Sequence, residues 1–185
     1  MTEQEPPEME ARIRAHALES FLANGVDATP LREIADALGV TKAALYYHYP
    51  SKDELMRRLV SPYLDDLGAI LLEHEEVTGP LEPHGLLREL VVTRTRHAAA
   101  VGLLDDPAVR RNERLVTRIS ELHERSVTCL LRAAGLSGTE RVRAAAALGA
   151  LEALTDLPGP DRPTSDHAVA LAAAPLGPTP GDPRP

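Results

Sequence analysis

Thr41, Lys42, Tyr46, Tyr47, His48 and Lys52 lie close together in one short stretch of the chain. Their hydroxyl, ammonium and imidazole groups are the donors that meet phosphate oxygens and base edges in a nucleic-acid groove. Three of the five aromatic residues of the chain, Tyr46, Tyr47 and Tyr49, fall here. Ala43 and Ala44 sit between the polar groups, and small side chains let a backbone come close to a groove wall. The competing reading is a hydrophobic knot that closes a small helical domain. Leu45 and Tyr49 follow the inward positions of the pattern and are read as core. Lys42, Tyr47 and Lys52 are read as DNA contacts, from the way a recognition helix presents its outer face.

The elements that must position these groups lie in TPLREIADALGVTKAALYYHYPSKDEL, residues 29–55. Leu31, Ile34, Ala35 and Leu38 recur at helical spacing. Thr29 is suited to the N-cap of that helix, with Pro30 as its first residue. Gly39 follows the last periodic residue, where a left-handed conformation ends a helix. Only Gly39 and Val40 separate it from a second helix, capped by Thr41 and running to about Tyr47. That is the turn of a helix-turn-helix. Pro50 stops the chain, and Ser51 with Glu54 forms a capping box that opens a third helix.

The run LREIADALGVTKAALYYHYPSKDEL closely resembles the DNA-binding signature of TetR-type transcriptional regulators, over roughly residues 10 to 60. The resemblance implies a homodimeric, all-helical regulator that binds a palindromic operator and carries a divergent, ligand-sensing C-terminal domain. By the same resemblance Thr29, Lys42, Tyr47 and Lys52 match phosphate-contacting positions, and Thr41, Ala43, Ala44 and His48 match those nearest the bases. Alanine methyls at 43 and 44 favour apolar contact with a thymine methyl over a hydrogen bond.

The chain of 185 residues suits one domain or two small ones, and its 43% hydrophobic content can form a core. The net charge of −8 argues against a general nucleic-acid binder. Residues 28–60 alone escape that balance, with five basic groups against four acidic ones. The acidic remainder disfavours non-specific binding and leaves a few placed cations to act. No apolar run approaches a membrane span, the acidic N-terminus is no secretory signal, and the single cysteine, Cys129, fits a reducing cytoplasm.

The pattern along the chain divides it into a disordered start (1–7), a helix-turn-helix domain (8–50), a helical regulatory and dimerisation domain (51–157) and a proline-rich segment with one short helix (158–185). A first helix spans Glu8 to Asn24, with Phe21 as core plug and Gly25 as terminus. A long helix follows from Ser51 to about Glu75, kinked or broken near Val60 because Pro62 lies inside it. The sequence predicts a loop at 77–80, a helix from His84 to Gly102, a break at 103–107 and a helix over 112–134. Ser137 and Glu140 cap an Ala/Gly-rich helix. Its small residues predict a dimer seam at Val142, Ala146, Gly149, Ala150 and Ala153, the last helices being paired this way in the resembled family. A short helix spans Thr164 to Ala174, and the tail after Leu157 is expected to lie loosely on the surface.

Catalytic signatures are missing: there is no glycine-rich phosphate loop, C-x-x-C or H-E-x-x-H pattern, and the seven histidines are scattered. The expectation is therefore no enzyme, no cofactor and no metal. Leu90, His97, Val101, Leu122, Ser126 and Cys129 are the candidates for a pocket in the C-terminal domain. With no large aromatic after Tyr63, that pocket suits a small apolar ligand. The reading is a cytoplasmic, homodimeric repressor released by a small molecule. Its alternative is a ligand-independent dimeric DNA-binding protein whose C-terminal domain serves assembly or protein interaction.

Overall fold

A computed structural model describes residues 6–77, 82–157 and 159–177. Every regular element among them is helical. They are α1 (Pro6–Asn24), α2 (Leu31–Leu38), α3 (Lys42–His48), α4 (Lys52–Glu76), α5 (Pro83–Arg96), α6 (Ala98–Gly102), α7 (Pro107–Arg111), α8 (Glu113–Ala133), α9 (Arg141–Asp156) and α10 (Ser165–Ala173). Two compact units form: residues 1–62 with 99–117, and residues 63–98 with 118–185.

In the first unit Ile13, Ala17, Phe21, Ile34, Leu45, Leu55 and Met56 are almost completely buried. Phe21 is the plug that the pattern of α1 predicted. Gly25 ends α1 at φ 87, and Gly39 ends α2 at φ 67. The Gly39 and Val40 N–H groups return to the Asp36 and Ala35 carbonyls, which closes the turn of the helix-turn-helix. Residue 30, not Thr29, is the N-cap of α2, and it gives no side-chain bond there. The Thr29 hydroxyl instead donates to the Gly25 and Ser20 carbonyls at 2.9 and 3.3 Å, because the left-handed turn at Gly25 leaves those oxygens facing it.

Residues 99–117 join this first unit, which periodicity alone did not foresee. Asp106 holds them: one carboxylate oxygen accepts from Val26 N at 3.0 Å, and the other caps α7 through Ala108 N at 2.7 Å. Leu103 and Val109 are buried beside it. The expected single helix from His84 to Gly102 is therefore two, broken at His97 where the chain passes from one unit to the other. The break at 103–106 is followed at once by α7, which the Asp106-Pro107 pair starts.

Pro62 does not break α4, which is helical from Lys52 to Glu76. Pro62 costs the helix one backbone hydrogen bond, at an exposed position. The units divide there, after Pro62, and not at Pro50–Ser51 as the sequence suggested. The first turns of α4 belong to the first unit, with Leu55, Met56 and Val60 at 0% exposure.

In the second unit Leu86, Leu87, Leu90 and Val91 of α5 and Ala144, Ala147, Leu148 and Leu151 of α9 are buried. The Ser137–Glu140 capping box forms, with one 3-10 turn before α9. α10 packs on α5 and α9 and is not a loose surface piece: Ala168, Val169, Ala172 and Ala173 are buried. Its alanines allow the close approach, and Arg143 Nε fastens the following turn by donating to Pro175 O at 2.8 Å. The expectations for residues 1–5, for most of the 77–80 loop and for 178–185 lie outside the described residues.

Arg94 is 7% exposed and joins three helices of this unit. Its Nε donates to Thr155 Oγ1 at 2.9 Å, and its two Nη groups to the Tyr63 hydroxyl at 3.3 Å and Asp156 Oδ1 at 2.8 Å. Burial opposes the charge, but Tyr63, Asp156 and Glu152 outweigh it and leave the guanidinium pKa raised. Burial likewise pushes the Tyr63 phenol up, so it stays protonated and bonded. Arg94→Ala strands the Tyr63 hydroxyl and should lower the unfolding free energy by on the order of 2 kcal/mol in urea titrations. Arg110→Ala removes only an exposed pair with Asp105 and should stay within about 0.5 kcal/mol. Equal effects would show that the network adds no stability.

Candidate nucleic-acid interface

α3 is short, and three local facts set its orientation. Thr41 Oγ1 accepts from Ala44 N at 3.1 Å and caps the helix. Leu45 is 0% exposed and Tyr49 3%. With those side chains inside, helical geometry turns Thr41, Lys42, Ala43, Ala44, Tyr46 and Tyr47 outward, and all six are exposed. Tyr47 is 85% exposed, which leaves its ring and hydroxyl open to a partner. Lys42 Nζ lies 5.5 Å from the centre of the Tyr46 ring, and Tyr47 meets His48 edge-on at 5.4 Å. α3 contains no carboxylate, so nothing on it repels a phosphate.

Three of the nine sequence-predicted contacts stand apart from this face. Thr29 is buried, its hydroxyl already spent on Gly25 and Ser20 carbonyls. His48 leaves 12% of its side chain exposed and sets Nδ1 3.3 Å from Glu10 Oε1 of α1. Glu10 also meets Arg14, so α1 supplies a small charged cluster behind the recognition face. Lys52 is half-buried and donates to the Val26 and Asp27 carbonyls at 2.7 and 3.1 Å. Sequence reasoning missed Glu10 and Asp106, whose partners stand far away in the chain.

The six pocket candidates fall in both units. Val101 belongs to the first unit and the others to the second. Leu90, Leu122, Ser126 and Cys129 are buried, and the Ser126 hydroxyl turns back to Leu122 O at 2.8 Å. Burial pushes the Cys129 thiol up, away from the reactive thiolate. His97 sets Nε2 2.8 Å from Asp66, and that bond holds the Asp66 carboxyl below its ordinary range. An open groove of about 480 Å³ lies between α4 and α5, with Ile70 and Val92 among its apolar lining, and none of the six lines it. On α9, Val142 is 72% exposed, Ala146, Gly149 and Ala153 are exposed, and Ala150 is half-buried.

Residues 13–59 match the family model of bacterial regulatory proteins of the tetR family. Those residues are similar to the regulatory domain of that family. The transcriptional regulator AcrR of Shigella flexneri is 35% identical over 91 residues, 49% of this chain and 42% of its own length. The transcriptional repressor KstR2 of Mycobacterium tuberculosis is 35% identical over 92 residues, 49% of this chain and 46% of its own. The matched stretch thus spans less than half the length of these curated relatives. The crystal structure of the TetR-family regulator PfmR from Thermus thermophilus shares 25% identity at a TM-score of 0.66, covering 89% of this chain and 97% of that one. The likeness to solved regulators therefore extends past residues 13–59 into the helical C-terminal part.

Lys52→Ala removes the donor from the Val26 and Asp27 carbonyls. It should cost about 1 kcal/mol of stability in urea titrations. Lys42→Ala, whose side chain only rests on Tyr46, should change stability by less than about 0.5 kcal/mol. A Lys52→Ala protein as stable as the parent would show that the ammonium is free to serve elsewhere.

Proposed function

We propose that the chain is a homodimeric transcriptional regulator, a repressor that reads a palindromic operator with α3 and works where the chromosome lies. The observation that carries this is the exposed face of α3, with Tyr47 almost wholly in solvent while Leu45 anchors the helix from behind. On this reading Lys42 and Tyr47 hold phosphates, and Thr41, Ala43, Ala44 and Tyr46 face the bases. His48 and Lys52 act from the edge of that face. Thr29 is left out, because it has no free surface.

One short helix reads too few bases, so the reading needs a dimer. The exposed small-residue face of α9, from Val142 through Ala146 and Gly149 to Ala153, is the proposed seam. Release by a small apolar ligand in the C-terminal unit completes the repressor reading, with α4 carrying the change because its residues belong to both units. The second reading, a ligand-independent dimer, is favoured by one observation: the Ser126 hydroxyl is satisfied within its own helix, and Leu122, Ser126 and Cys129 are all buried. No catalytic role is proposed, since no constellation of reacting groups accompanies these features.

Two measurements test the reading. A Cβ at Gly149 would meet nothing within 4 Å in its own protomer and the position is exposed, so Gly149→Glu should leave the fold intact. Sedimentation should then show monomers where the parent is dimeric, and an unaltered dimer would move the seam elsewhere. Selection of binding sites from a random duplex pool should return a two-fold symmetric sequence with half-sites about one helical turn apart. Tyr47→Ala should abolish recovery of that sequence. If apolar compounds neither raise the Tm nor release the selected duplex, the ligand-independent reading stands.

A further inference from the structure

Arg114, the second residue of α8, is exposed and makes no hydrogen bond or ion pair among the described residues. It lines an open polar cavity of about 400 Å³ in the first unit, together with Arg57, Arg111, Asn112 and Ser51. Arg57 is tied to Glu54 and Arg111 to Asp27, which leaves Arg114 as the uncommitted guanidinium of the three. Two carboxylates, Asp53 and Glu113, also line the cavity. Both sit in the first turn of a long helix, where the helix end carries partial positive charge and offsets them. Nothing in α3 or its turn requires these arginines, and the cavity stands outside the nine contacts read from the sequence.

Its position suggests the occupant. Ser51 directly precedes α4, the helix after the recognition helix, and residues 99–117 share a compact unit with the helix-turn-helix. We infer that Arg114 is a further DNA-contacting group that holds a backbone phosphate flanking the half-site read by α3. The segment that carries it reads from the sequence as part of the C-terminal domain, yet it would lengthen the DNA footprint. Guanidinium forks suit phosphate oxygens, and an open, wide cavity suits a passing strand. Such a contact adds affinity and salt dependence without adding base preference. The inference rests on the DNA-binding reading above.

The test uses the full chain and the selected duplex in two lengths: trimmed to the selected core, and extended by about ten base pairs, roughly one helical turn, at each end. For the parent, the dependence of log affinity on log salt should be steeper on the extended duplex by about 1 per protomer. Arg114→Ala should erase that difference while keeping the parental affinity for the trimmed duplex, the parental base preference and the parental Tm. Equal salt slopes for the parent on both lengths overturn the inference and leave the DNA-binding reading intact. So does an Arg114→Ala protein that retains the steeper slope. Binding to neither duplex overturns both. If inorganic phosphate raises the parental Tm but not that of Arg114→Ala, and duplex length has no effect, the cavity is a small-anion site and the flanking contact is wrong.

Discussion

The structure of the recognition face depends on how a seven-residue helix is kept in place. A helix that short does not persist in water, since the first turn costs more conformational entropy than its few hydrogen bonds return. α3 exists because Leu45 and Tyr49 are driven into the core and Thr41 Oγ1 accepts from the Ala44 N–H. Those same anchors fix its rotation. With Leu45 inside, Lys42, Ala43, Tyr46 and Tyr47 have no choice but to face outward. Stability and presentation therefore come from one constraint, and the exposed rings are its consequence.

A second set of interactions gathers on the irregular turn between α1 and α2. Gly25 stands at positive φ, and its carbonyl takes the Thr29 hydroxyl. The Val26 N–H is met by Asp106, and the Val26 and Asp27 carbonyls by Lys52. Backbone groups in a turn cannot pair among themselves as they do in a helix, so side chains from remote positions satisfy them. This is how residues 99–117 come to share a unit with the helix-turn-helix. It also puts a cation of the expected DNA face to architectural use, a division of labour that the type of residue alone does not reveal.

The second unit solves a different problem. Its core sets leucines such as Leu86, Leu87, Leu148 and Leu151 among alanines such as Ala144 and Ala147, and the small side chains let the helices come close. α10 completes the layer over α5 and α9 with Ala168, Val169, Ala172 and Ala173. Arg94 adds direction to this packing. A buried guanidinium tolerates only arrangements that supply acceptors, so Tyr63, Thr155 and Asp156 must come to it together. An apolar side chain there would fill space without fixing which helices meet.

The sequence by itself determined what repeats or terminates locally. The helical spacing from Leu31 to Leu38, the glycine at 39, the cap at Thr41, the Ser137–Glu140 box and the inward Phe21, Leu45 and Tyr49 all stand in the structure where the pattern placed them. Each rests on forces acting within a turn or two of the chain: periodic burial, missing N–H groups and preferred φ. Only the tertiary structure decided which remote groups meet. It turned Thr29 inward, tied Lys52 to the Val26 and Asp27 carbonyls and His48 to Glu10, broke the helix at His97, and moved residues 99–117 into the first unit. It also spread the six pocket candidates over both units. The reason is that helix patterning fixes which face of each element is buried. Which partner each buried or half-buried polar group finds depends on how the elements stack, and no local period encodes that.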